Sequence, residues 1–194
     1  DLLNILVQES REKSAAAADP LKDPVIPRTK NIIAFMEERL ADRVISLLRD
    51  VGKVAREMGF SAYLIGGFVR DLFLYRHNED MDIVIEGDGI AFAREFARRS
   101  GARINAYDKF GTAVIIFPDG YKIDVASARM EYYSFPAALP TVEMSSIKLD
   151  LFRRDFTINT LAVSLNPDKF GKLIDFFGAQ RDIKEKVIRV LHNL

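Results

Sequence analysis

The amino-acid sequence predicts an α+β fold in which a small mixed sheet is flanked by helices. A long amphipathic helical pattern precedes a series of short apolar segments, and an Asp-Gly turn joins two of those segments into a hairpin. The chain has 194 residues, of which 48% are hydrophobic and 29% are charged. This size and composition are typical of one globular domain with an additional segment.

The first part of the chain is predicted to lie outside the main domain. Residues 1–28 are interpreted as the end of an upstream domain followed by a linker, because a short helical pattern at Asp1–Lys13 precedes small residues and three prolines. The main domain is then expected to span residues 29–178. Residues 179–194 are expected to begin a further helical region.

The main domain is predicted to open with a long helix that begins at about Thr29 and ends at Gly59, since glycine commonly follows a helix. This helix is expected to cover one face of the sheet. Its apolar face is formed by residues at helical spacing, namely Leu40, Val44, Leu47, Leu48, Val51, Ala55 and Met58.

Short apolar segments after this helix predict two strands and two more helices. The segments "AYLI" (62–65) and "MDIVIE" (81–86) are interpreted as strands. Between them, "GFVRDLFLY" (67–75) is interpreted as a helix that begins at the glycines. Asp88 is expected to cap a helix over Gly89–Ser100, which the next glycine ends.

The second half of the chain is predicted to begin with a hairpin. The strands are "TAVIIF" (112–117) and "YKIDVA" (121–126), with an Asp-Gly turn between them. Met130–Ser146 has no clear period and contains two prolines, which predicts a long loop. A helix is expected around Leu149–Arg153. After it, "DFTINTLAVSL" predicts a helix running into a strand, and "KLIDFFGAQRDIKEKVIRVLHNL" predicts a strand, a glycine turn and an amphipathic helix.

Charge and residue usage exclude several classes of protein. The 28 basic and 28 acidic side chains cancel, so overall charge does not attract nucleic acid and any such contact must be local. The sequence contains no cysteine, which excludes disulfides and thiolate metal sites and fits a reducing cytoplasm, the expected location. Apolar runs such as Ala113–Pro118 fall far short of the roughly 20 residues that span a bilayer, so no membrane partner is expected.

Asp80 and Asp82, at the start of the strand predicted at residues 81–86, are the first part of a candidate metal site. Their spacing places both carboxylates on one side of the strand, with Cα atoms roughly 6–7 Å apart. Asp124 is the candidate third ligand, because it lies on the polar face of a hairpin strand. Hard divalent cations prefer such oxygen ligands. The structural alternatives are a solvated strand entrance for the first two and an exposed hairpin face for the third.

Gly66 and Gly67 follow a predicted strand and begin a predicted helix. In that position, free backbone N–H groups and the helix N-terminus can bind a phosphate, and side chains would prevent its close approach. Arg70, one helical turn later, can reach the same anion with several donors. The alternative is a glycine turn required for packing, with Arg70 on a solvated helix.

The segment "LFRRDFTINTLA" (151–162) supplies a third group of candidate ligands. Arg153 and Arg154 suit the oxygens of a triphosphate, whereas Asp155 and Asn159 suit the hydroxyls of a sugar. Asn159 lies four residues after Asp155, which places the two on one face if the segment is helical. The alternative interpretation makes Asp155 the N-cap of a helix.

Five segments in order resemble the catalytic head of the class II tRNA nucleotidyltransferase and bacterial poly(A) polymerase family. They are "LIGGFVRDLFL", "EDMDIVIEG", "YKIDVASAR", "RRDFTINTLA" and "LIDFFGAQRDI", and the similarity covers about two-thirds of the chain, from Ala62 to Leu194. The resemblance implies a polymerase-beta-like nucleotidyltransferase head, followed in full enzymes by helical neck, body and tail regions. Residues 179–194 would then begin the neck.

The resemblance also implies an activity and the residues that perform it. The enzyme would add nucleotides, as CCA or as its terminal A, from nucleoside triphosphates to the 3′ ends of tRNA or other RNA without a template. Two Mg²⁺ ions would act in catalysis, and ATP and CTP would be the nucleotide substrates. Asp80, Asp82 and Asp124 would be catalytic metal ligands, Gly66, Gly67 and Arg70 would hold the triphosphate, and Arg154, Asp155 and Asn159 would contact the incoming nucleotide.

Two alternatives stay open beside this activity. One is a poly(A) polymerase of the same family, and the other is a non-catalytic nucleotide-binding or regulatory module. The presence of all three carboxylates favours a catalyst. The segment that selects the base in this family would follow "VIRVLHNL" (187–194), so the chain is expected to be a fragment of a larger enzyme and leaves the added base undecided.

Two further details of the sequence bear on the family assignment. "DLLNIL" (1–6) is similar to the closing helix of a CBS domain, which precedes this head in some bacterial tRNA-processing enzymes. Gly178-Ala179 stands where family members often have two glycines, so the turn at this position is expected to differ.

Overall fold

The computed structural model describes residues 26–132, 141–144 and 146–192, and it gives the backbone alone for 129–132 and 141–144. Over these ranges the chain forms an eight-stranded sheet, a separate two-stranded sheet and six helices. The predicted α+β fold, with a mixed sheet flanked by helices, is confirmed. The helix predicted at Asp1–Lys13 and most of the predicted linker lie outside the described residues.

A large mixed sheet organises the domain. The strands of the described ranges are β1 (Arg28–Asn31), β2 (Ser61–Ile65), β3 (Met81–Glu86), β4 (Arg103–Tyr107), β5 (Thr112–Ile116), β6 (Lys122–Ser127), β7 (Arg129–Tyr132), β8 (Thr141–Met144), β9 (Leu161–Ser164) and β10 (Lys172–Asp175). The large sheet has the order β1-β10-β9-β2-β3-β6-β5-β4, and β7 pairs with β8 separately. Strands β3 and β6 run parallel, whereas the other neighbouring strands of the large sheet run antiparallel.

Helices cover both faces of this sheet. They are α1 (Ile33–Arg39), α2 (Asp42–Glu57), α3 (Gly66–Phe73), α4 (Gly89–Ser100), α5 (Ile147–Phe152) and α6 (Ala179–Glu185). The main core contains Leu48 of α2 and Phe92 of α4, packed with Leu64 of β2. The next residue of that strand, Ile65, belongs to a smaller cluster with Leu151 of α5, because alternate strand residues face opposite sides. Within the described ranges, no helix is long and apolar enough to cross a membrane.

Helix α2 approaches the backbone that follows β9 at Gly52. A Cβ atom at this position would lie 1.7 Å from the carbonyl oxygen of Leu165 and 2.4 Å from its carbonyl carbon. Both are backbone atoms, which a rotation of a side chain cannot move. Glycine at position 52 therefore permits α2 and the sheet to pack at this distance.

The beginning of the domain differs from the prediction. The helix predicted from Thr29 is wrong for residues 29–31, which belong to β1 and pair with β10. The helical pattern is also divided at Leu40 and Ala41, whose extended backbone separates α1 from α2. The end near Gly59 is confirmed, because α2 ends at Glu57 and Gly59 has a φ of 76°. A strand of four exposed residues has no periodic apolar signal, so pairing with a distant strand overrides the local pattern.

The middle of the chain follows the prediction closely. The strand β3 and the helix α3 form where they are expected. The side chain of Asp88 accepts a hydrogen bond from the backbone N–H of Ala91 at 2.9 Å and so caps α4. Gly101 ends that helix with a φ of 69°. Strands β5 and β6 form the expected hairpin around Pro118–Gly120, which is confirmed by their antiparallel register.

Besides β1, three further strands are missing from the prediction. Strand β4 at the edge of the sheet pairs with β5, although its exposed and half-buried residues alternate without a strongly apolar face. Strands β7 and β8 pair within the predicted loop Met130–Ser146, so that prediction is wrong for residues 130–132 and 141–144. These elements depend on pairing between strands rather than on a local apolar period.

The last described residues also depart from the prediction. The predicted strand and glycine turn are confirmed, since β10 is followed by Gly178 with a φ of 77°. The amphipathic helix ends at Glu185 and is followed by Lys186 with a φ of 56°, so the prediction of helix over residues 186–192 is wrong. In this last segment the backbone of Val190 forms a β-bridge with Phe156, so the segment lies against the residues between α5 and β9. The boundaries at residues 28 and 178 stay predictions, although the sheet already includes Arg28.

The buried carboxylate of Asp182 binds Arg189 in this last segment. Its carboxylate is 0% exposed and accepts hydrogen bonds from the Thr157 hydroxyl at 2.7 Å and from the Arg189 guanidinium at 3.1 and 3.3 Å. Burial acts to raise the pKa of Asp182, but the hydrogen bonds from Arg189 and Thr157 outweigh it and hold the pKa below its ordinary value. The ionised carboxylate therefore stabilises the folded chain.

Replacing this carboxylate is expected to produce a pH-dependent loss of stability. We predict that Asp182→Asn lowers the free energy of unfolding by about 1–3 kcal/mol at neutral pH, the cost of lost hydrogen bonds to a charged group. Because the folded-state pKa is lowered, the contribution is fully present above the unfolded-state pKa of about 4 and is lost as the pH falls through the folded-state pKa. Urea denaturation of both proteins over a pH series measures the effect. A difference that stays constant down to the most acidic pH would contradict the prediction.

Candidate active site

Two of the three candidate carboxylates are neighbours in the sheet. Asp82 on β3 lies opposite Asp124 on β6 in the parallel register, so their side chains leave the same face of the sheet. Asp80 precedes β3 and is exposed, and its backbone N–H donates to the side-chain oxygen of Asn78 at 2.8 Å. The flanking residues Met81 and Ile123 are buried, which confirms the predicted alternation of polar and apolar faces.

The carboxylates act on one another electrostatically. Burial raises the pKa of Asp82, and the negative charges of Asp124 and Asp80 raise it further, while Arg154 opposes the shift. Burial also raises the pKa of Asp124, and the charge of Asp80 adds to that effect. A bound cation would remove the repulsion, since it favours the ionised form of each neighbouring carboxylate.

The donor atoms of this region fit a hard divalent cation in part. Within the described ranges, no group of three or more acidic or histidine side chains is arranged to hold a metal ion by itself. Mg²⁺ sites in nucleotide-dependent proteins commonly use one or two carboxylates together with phosphate oxygens and water. The in-register pair of Asp82 and Asp124 matches that requirement, with Asp80 close enough to influence both electrostatically.

Gly66 lies directly beside the carboxylate of Asp82. It has a φ of 73°, in the left-handed region that favours glycine. A Cβ atom at this position would lie 3.4 Å from a carboxylate oxygen of Asp82 and 3.3 Å from Nη1 of Arg154. The glycine thus permits a carboxylate and a guanidinium to lie close to the first turn of α3.

Arg70 is held by neighbouring side chains. Its guanidinium donates to the side-chain oxygen of Asn159 at 2.8 Å and to both oxygens of Asp71 at 2.9 and 3.1 Å. Asn78 donates to Asp71 as well, at 2.7 Å. Burial acts to raise the pKa of Asp71, but the hydrogen bonds from Arg70 and Asn78 outweigh it and lower the pKa. A Cβ atom at Gly67 would lie 3.4 Å from Nη2 of Arg70, so three of the predicted nucleotide ligands lie together.

Arg153 and Arg154 share a buried carboxylate, Asp150, that sequence reasoning missed. Asp150 is 0% exposed and lies 2.8 Å from Nη2 of Arg153 and 3.8 Å from Nη2 of Arg154. The signal was present, because an acid three and four residues before two arginines lies on the same helical face. A cavity of about 340 Å³ is lined by these three residues together with Asp82 and Asp124. The arrangement combines two arginine cations with three carboxylates around one cavity.

Asp155 has a different environment from the one predicted. The segment after Arg153 is not a continuous helix but contains a short 3₁₀ turn at Thr157–Asn159 before β9. The N-cap of that turn is Phe156, so the interpretations of Asp155 as an N-cap and of Asp155 and Asn159 as helical neighbours are wrong. Asp155 is exposed, and its backbone oxygen accepts from Leu191 at 2.8 Å. Its role toward a sugar hydroxyl stays a prediction.

Known sequences resemble this chain over most or all of its length. The model of the poly A polymerase head domain family matches residues 62–189. An A-adding tRNA nucleotidyltransferase of Geobacter sulfurreducens is 52% identical over 194 residues, which are 100% of this chain and 22% of that protein. An A-adding tRNA nucleotidyltransferase of Aquifex aeolicus is 50% identical over 131 residues, which are 68% of this chain and 16% of that protein. The chain thus spans a small part of the relatives that it matches.

Solved structures share the fold as well. An apo form of a CCA-adding enzyme superposes with a TM-score of 0.79 and 47% identity, covering 84% of this chain and 39% of that one. The Thermotoga maritima CCA-adding enzyme complexed with tRNA gives a TM-score of 0.75 and 43% identity over 84% of this chain and 36% of that one. A CCA-adding enzyme complexed with ATP gives 0.75 and 44% identity over 84% of this chain and 37% of that one. With the family model, these matches show that the chain belongs to the poly A polymerase head domain family.

Proposed function

We propose that the protein transfers nucleotides from nucleoside triphosphates to the 3′ ends of tRNA, and that the nucleotide added is the terminal adenosine. The observation that carries this proposal is the in-register pair of Asp82 and Asp124 beside Gly66 and Arg154. Carboxylates for a cation, a backbone without side chains and nearby arginines are the components that a nucleotidyl transfer requires.

The names of the relatives support the substrates. The Geobacter and Aquifex proteins, at 52% and 50% identity, are both A-adding tRNA nucleotidyltransferases. A CC-adding enzyme of Deinococcus radiodurans is 35% identical over 130 residues. Structures related to this chain are complexes with tRNA, with ATP and with CTP. We accordingly infer ATP and a tRNA ending in CC as the substrates, and the cytoplasm, where tRNA matures, as the location.

In this proposal the three carboxylates hold Mg²⁺. Asp82 and Asp124 would each supply an oxygen from the sheet, and Asp80 would supply another from the start of β3. Bound there, two Mg²⁺ ions would lower the pKa of the attacking RNA hydroxyl and neutralise the charge of the pyrophosphate that leaves. Their positive charge also offsets the repulsion that raises the pKa of Asp82 and Asp124.

The remaining residues of the site would bind and orient the nucleotide. Gly66 and Gly67 would offer backbone N–H groups to the triphosphate at the start of α3. Arg153 and Arg154 would contact phosphate oxygens, and the ion pairs of both guanidinium groups with the buried Asp150 would hold them in place. Arg70 would reach the triphosphate from its hydrogen bond to Asn159, and Asn159 and Asp155 would contact the ribose. Positioning of this kind supplies much of the rate in phosphoryl transfer.

An incorporation assay tests the proposal directly. The full-length gene product is incubated with Mg²⁺, one labelled nucleoside triphosphate, and tRNA transcripts that end before CCA or after CC. We expect a single adenosine to be added to the transcript that ends in CC and no cytidine to be added to either. Because CCA-adding enzymes share this head at 43–47% identity, the transcripts that lack CC are the informative control.

Other results of this assay would each indicate one of the alternative functions. Addition of two cytidines and then adenosine would make the protein a CCA-adding enzyme. Repeated addition of adenosine would make it a poly(A) polymerase of the same family. No incorporation by a folded protein supplied with Mg²⁺ would overturn the proposal in favour of a non-catalytic nucleotide-binding module.

Removal of Arg154 is expected to weaken nucleotide binding. In Arg154→Ala we expect the KM for ATP to rise by about 10-fold or more, since a charge-assisted hydrogen bond to a phosphate contributes roughly 1.5–3 kcal/mol. The KM for tRNA should stay unchanged, because Arg154 lines the cavity beside Asp82. Steady-state kinetics measures both constants, and thermal unfolding monitors the fold. A large decrease in Tm with an unchanged KM for ATP would instead assign Arg154 a purely structural role with Asp150.

A further inference from the structure

A second cavity, of about 380 Å³, lies between the junction of α1 with α2 and the loop after α3. We name it the Tyr75 trough, and its lining includes Arg39, Arg43, Tyr75, Arg76, Glu79 and Tyr121. Neither the carboxylate pair nor the predicted nucleotide ligands form part of this lining. The trough is therefore a different candidate binding site from the one predicted for the triphosphate.

The trough adjoins a cavity at two of the three candidate carboxylates. A neighbouring cavity is lined by Asp80 and Asp124, and it shares Arg43, Glu79 and Tyr121 with the Tyr75 trough. A chain that lies in the trough can thus extend directly to the carboxylates. The geometry suits a polymer whose end reaches the carboxylates while its preceding units lie in the trough.

Tyr75 gives the trough an aromatic surface at some energetic cost. Its φ of 56° lies in the left-handed region, which a bulky residue rarely adopts and which costs roughly 1–2 kcal/mol. The side chain is 79% exposed, so burial of the ring does not offset that cost. The Arg39 guanidinium lies 4.0 Å from the Tyr75 ring centroid and 3.9 Å from that of Phe35. The Tyr75 ring is consequently supported on one side and open to solvent elsewhere.

The charges around the ring favour an anion. Arg39, Arg43 and Arg76 line the trough against the single carboxylate of Glu79. Arg39 lies 3.1 Å from Glu38, yet its Nε and Nη1 atoms are buried and make no hydrogen bond. His77, which also lines the cavity, lies 3.1 Å from Glu79. Cations beside an exposed aromatic ring are the combination that binds single-stranded nucleic acid, through phosphates and stacked bases.

We propose that the Tyr75 trough binds the single-stranded 3′ segment of the RNA substrate, with a base stacked on Tyr75 and the adjoining phosphates against Arg43 and Arg76. This inference rests on the proposed function, because it names where the RNA acceptor of that reaction lies. The stretch of RNA bound here precedes the terminal nucleotide whose hydroxyl reaches the carboxylates.

Three variants of the full-length gene product test the proposal. Tyr75→Gly removes the ring and suits the positive φ, so the fold is retained. Tyr75→Phe keeps the ring, and Arg76→Ala removes one cation. We expect Tyr75→Gly to raise the KM for the tRNA and the Kd for a single-stranded RNA ending in CC by about 5-fold or more, the lower end of base–aromatic stacking. Tyr75→Phe should resemble wild type, and the KM for ATP should stay unchanged in all three.

Salt dependence tests the phosphate contacts. Arg76→Ala should reduce the slope of log Kd against log salt by about 0.7 to 1, as expected for the loss of one phosphate contact. The matched control is Arg94→Ala, which makes the same charge change on the exposed side of α4, away from the trough. A slope that decreases equally in both variants would overturn the assignment of the phosphates to Arg76.

Failure of this inference is distinguishable from failure of the proposed function. If wild-type protein adds nucleotides while Tyr75→Gly has the RNA KM and Kd of wild type, the trough does not bind the RNA and the proposal is overturned. If wild type adds no nucleotide, the proposed function fails, and anisotropy with the labelled RNA still decides whether Tyr75 and Arg76 contribute to its binding.

Discussion

An Asp82→Asn protein is expected to lose nucleotide addition by about a thousandfold or more while retaining its fold. The amide is nearly isosteric but carries no negative charge, so it is a poor ligand for Mg²⁺. Loss of several kcal/mol of metal-dependent stabilisation at the transition state corresponds to a factor of this size. Single-turnover incorporation of labelled ATP into a tRNA ending in CC measures the rate.

The stability of the same variant separates catalysis from folding. The pKa of Asp82 is raised by burial and by the charges of Asp124 and Asp80, so the ionised carboxylate is unfavourable in the metal-free fold. Asn at this position should leave the Tm unchanged or raise it slightly, because it removes that repulsion. Asp168→Asn, an exposed acid in the loop between β9 and β10, is the matched control for both measurements. Turnover close to wild type in Asp82→Asn would refute the metal assignment.

Gly52→Ala is expected to destabilise the domain by about 3 kcal/mol or more, at or above the upper range for inserting one methyl group into a packed core. The new Cβ atom would lie 1.7 Å from the carbonyl oxygen of Leu165, so α2 and the chain after β9 must separate. The higher helix propensity of alanine stabilises α2 by at most about 1 kcal/mol, which offsets only part of this loss. Urea denaturation of both proteins measures the difference.

The adjacent residue supplies the control for this prediction. Lys53 is exposed on the same turn of α2, so Lys53→Ala should change the free energy of unfolding by no more than about 0.5 kcal/mol. Equal stabilities for wild type and Gly52→Ala would show that the helix can move away from Leu165 at little cost. The packing described for α2 would then be incorrect.

The site could be predicted where it depends on strand periodicity. The positions of Asp82 and Asp124 on one face of the sheet follow from alternation along two strands, because buried neighbours such as Met81 and Ile123 fix which side is polar. Asp80 lies just before β3, and the roles of the three carboxylates stay predictions. The opening of α3 at Gly66 followed from a strand that precedes a glycine pair. These features are local in sequence, and local rules were sufficient to find them.

The remaining features depend on contacts between distant residues. Strand β1 exists because it pairs with β10, and residues 186–192 leave the helical path because Arg189 binds Asp182 and Val190 pairs with Phe156. The spacing of Asp150 to Arg153 and Arg154 indicated a shared helical face, but the full burial of its carboxylate beside the two guanidinium groups has no local signal in the sequence. The positive φ of Tyr75 likewise has no signal in the sequence.

The parallel pairing of β3 with β6 determines how the carboxylate pair is connected through the chain. Parallel neighbours require a crossover, and here the crossover consists of α4, β4 and β5. Asp82 and Asp124 therefore lie at the two ends of one backbone segment, and the pairing of β3 with β6 brings those ends together. A single cut anywhere between Glu86 and Lys122 would leave the two carboxylates on separate pieces, joined by hydrogen bonds and packing alone. An intact backbone between β3 and β6 is thus what holds the two carboxylates together covalently.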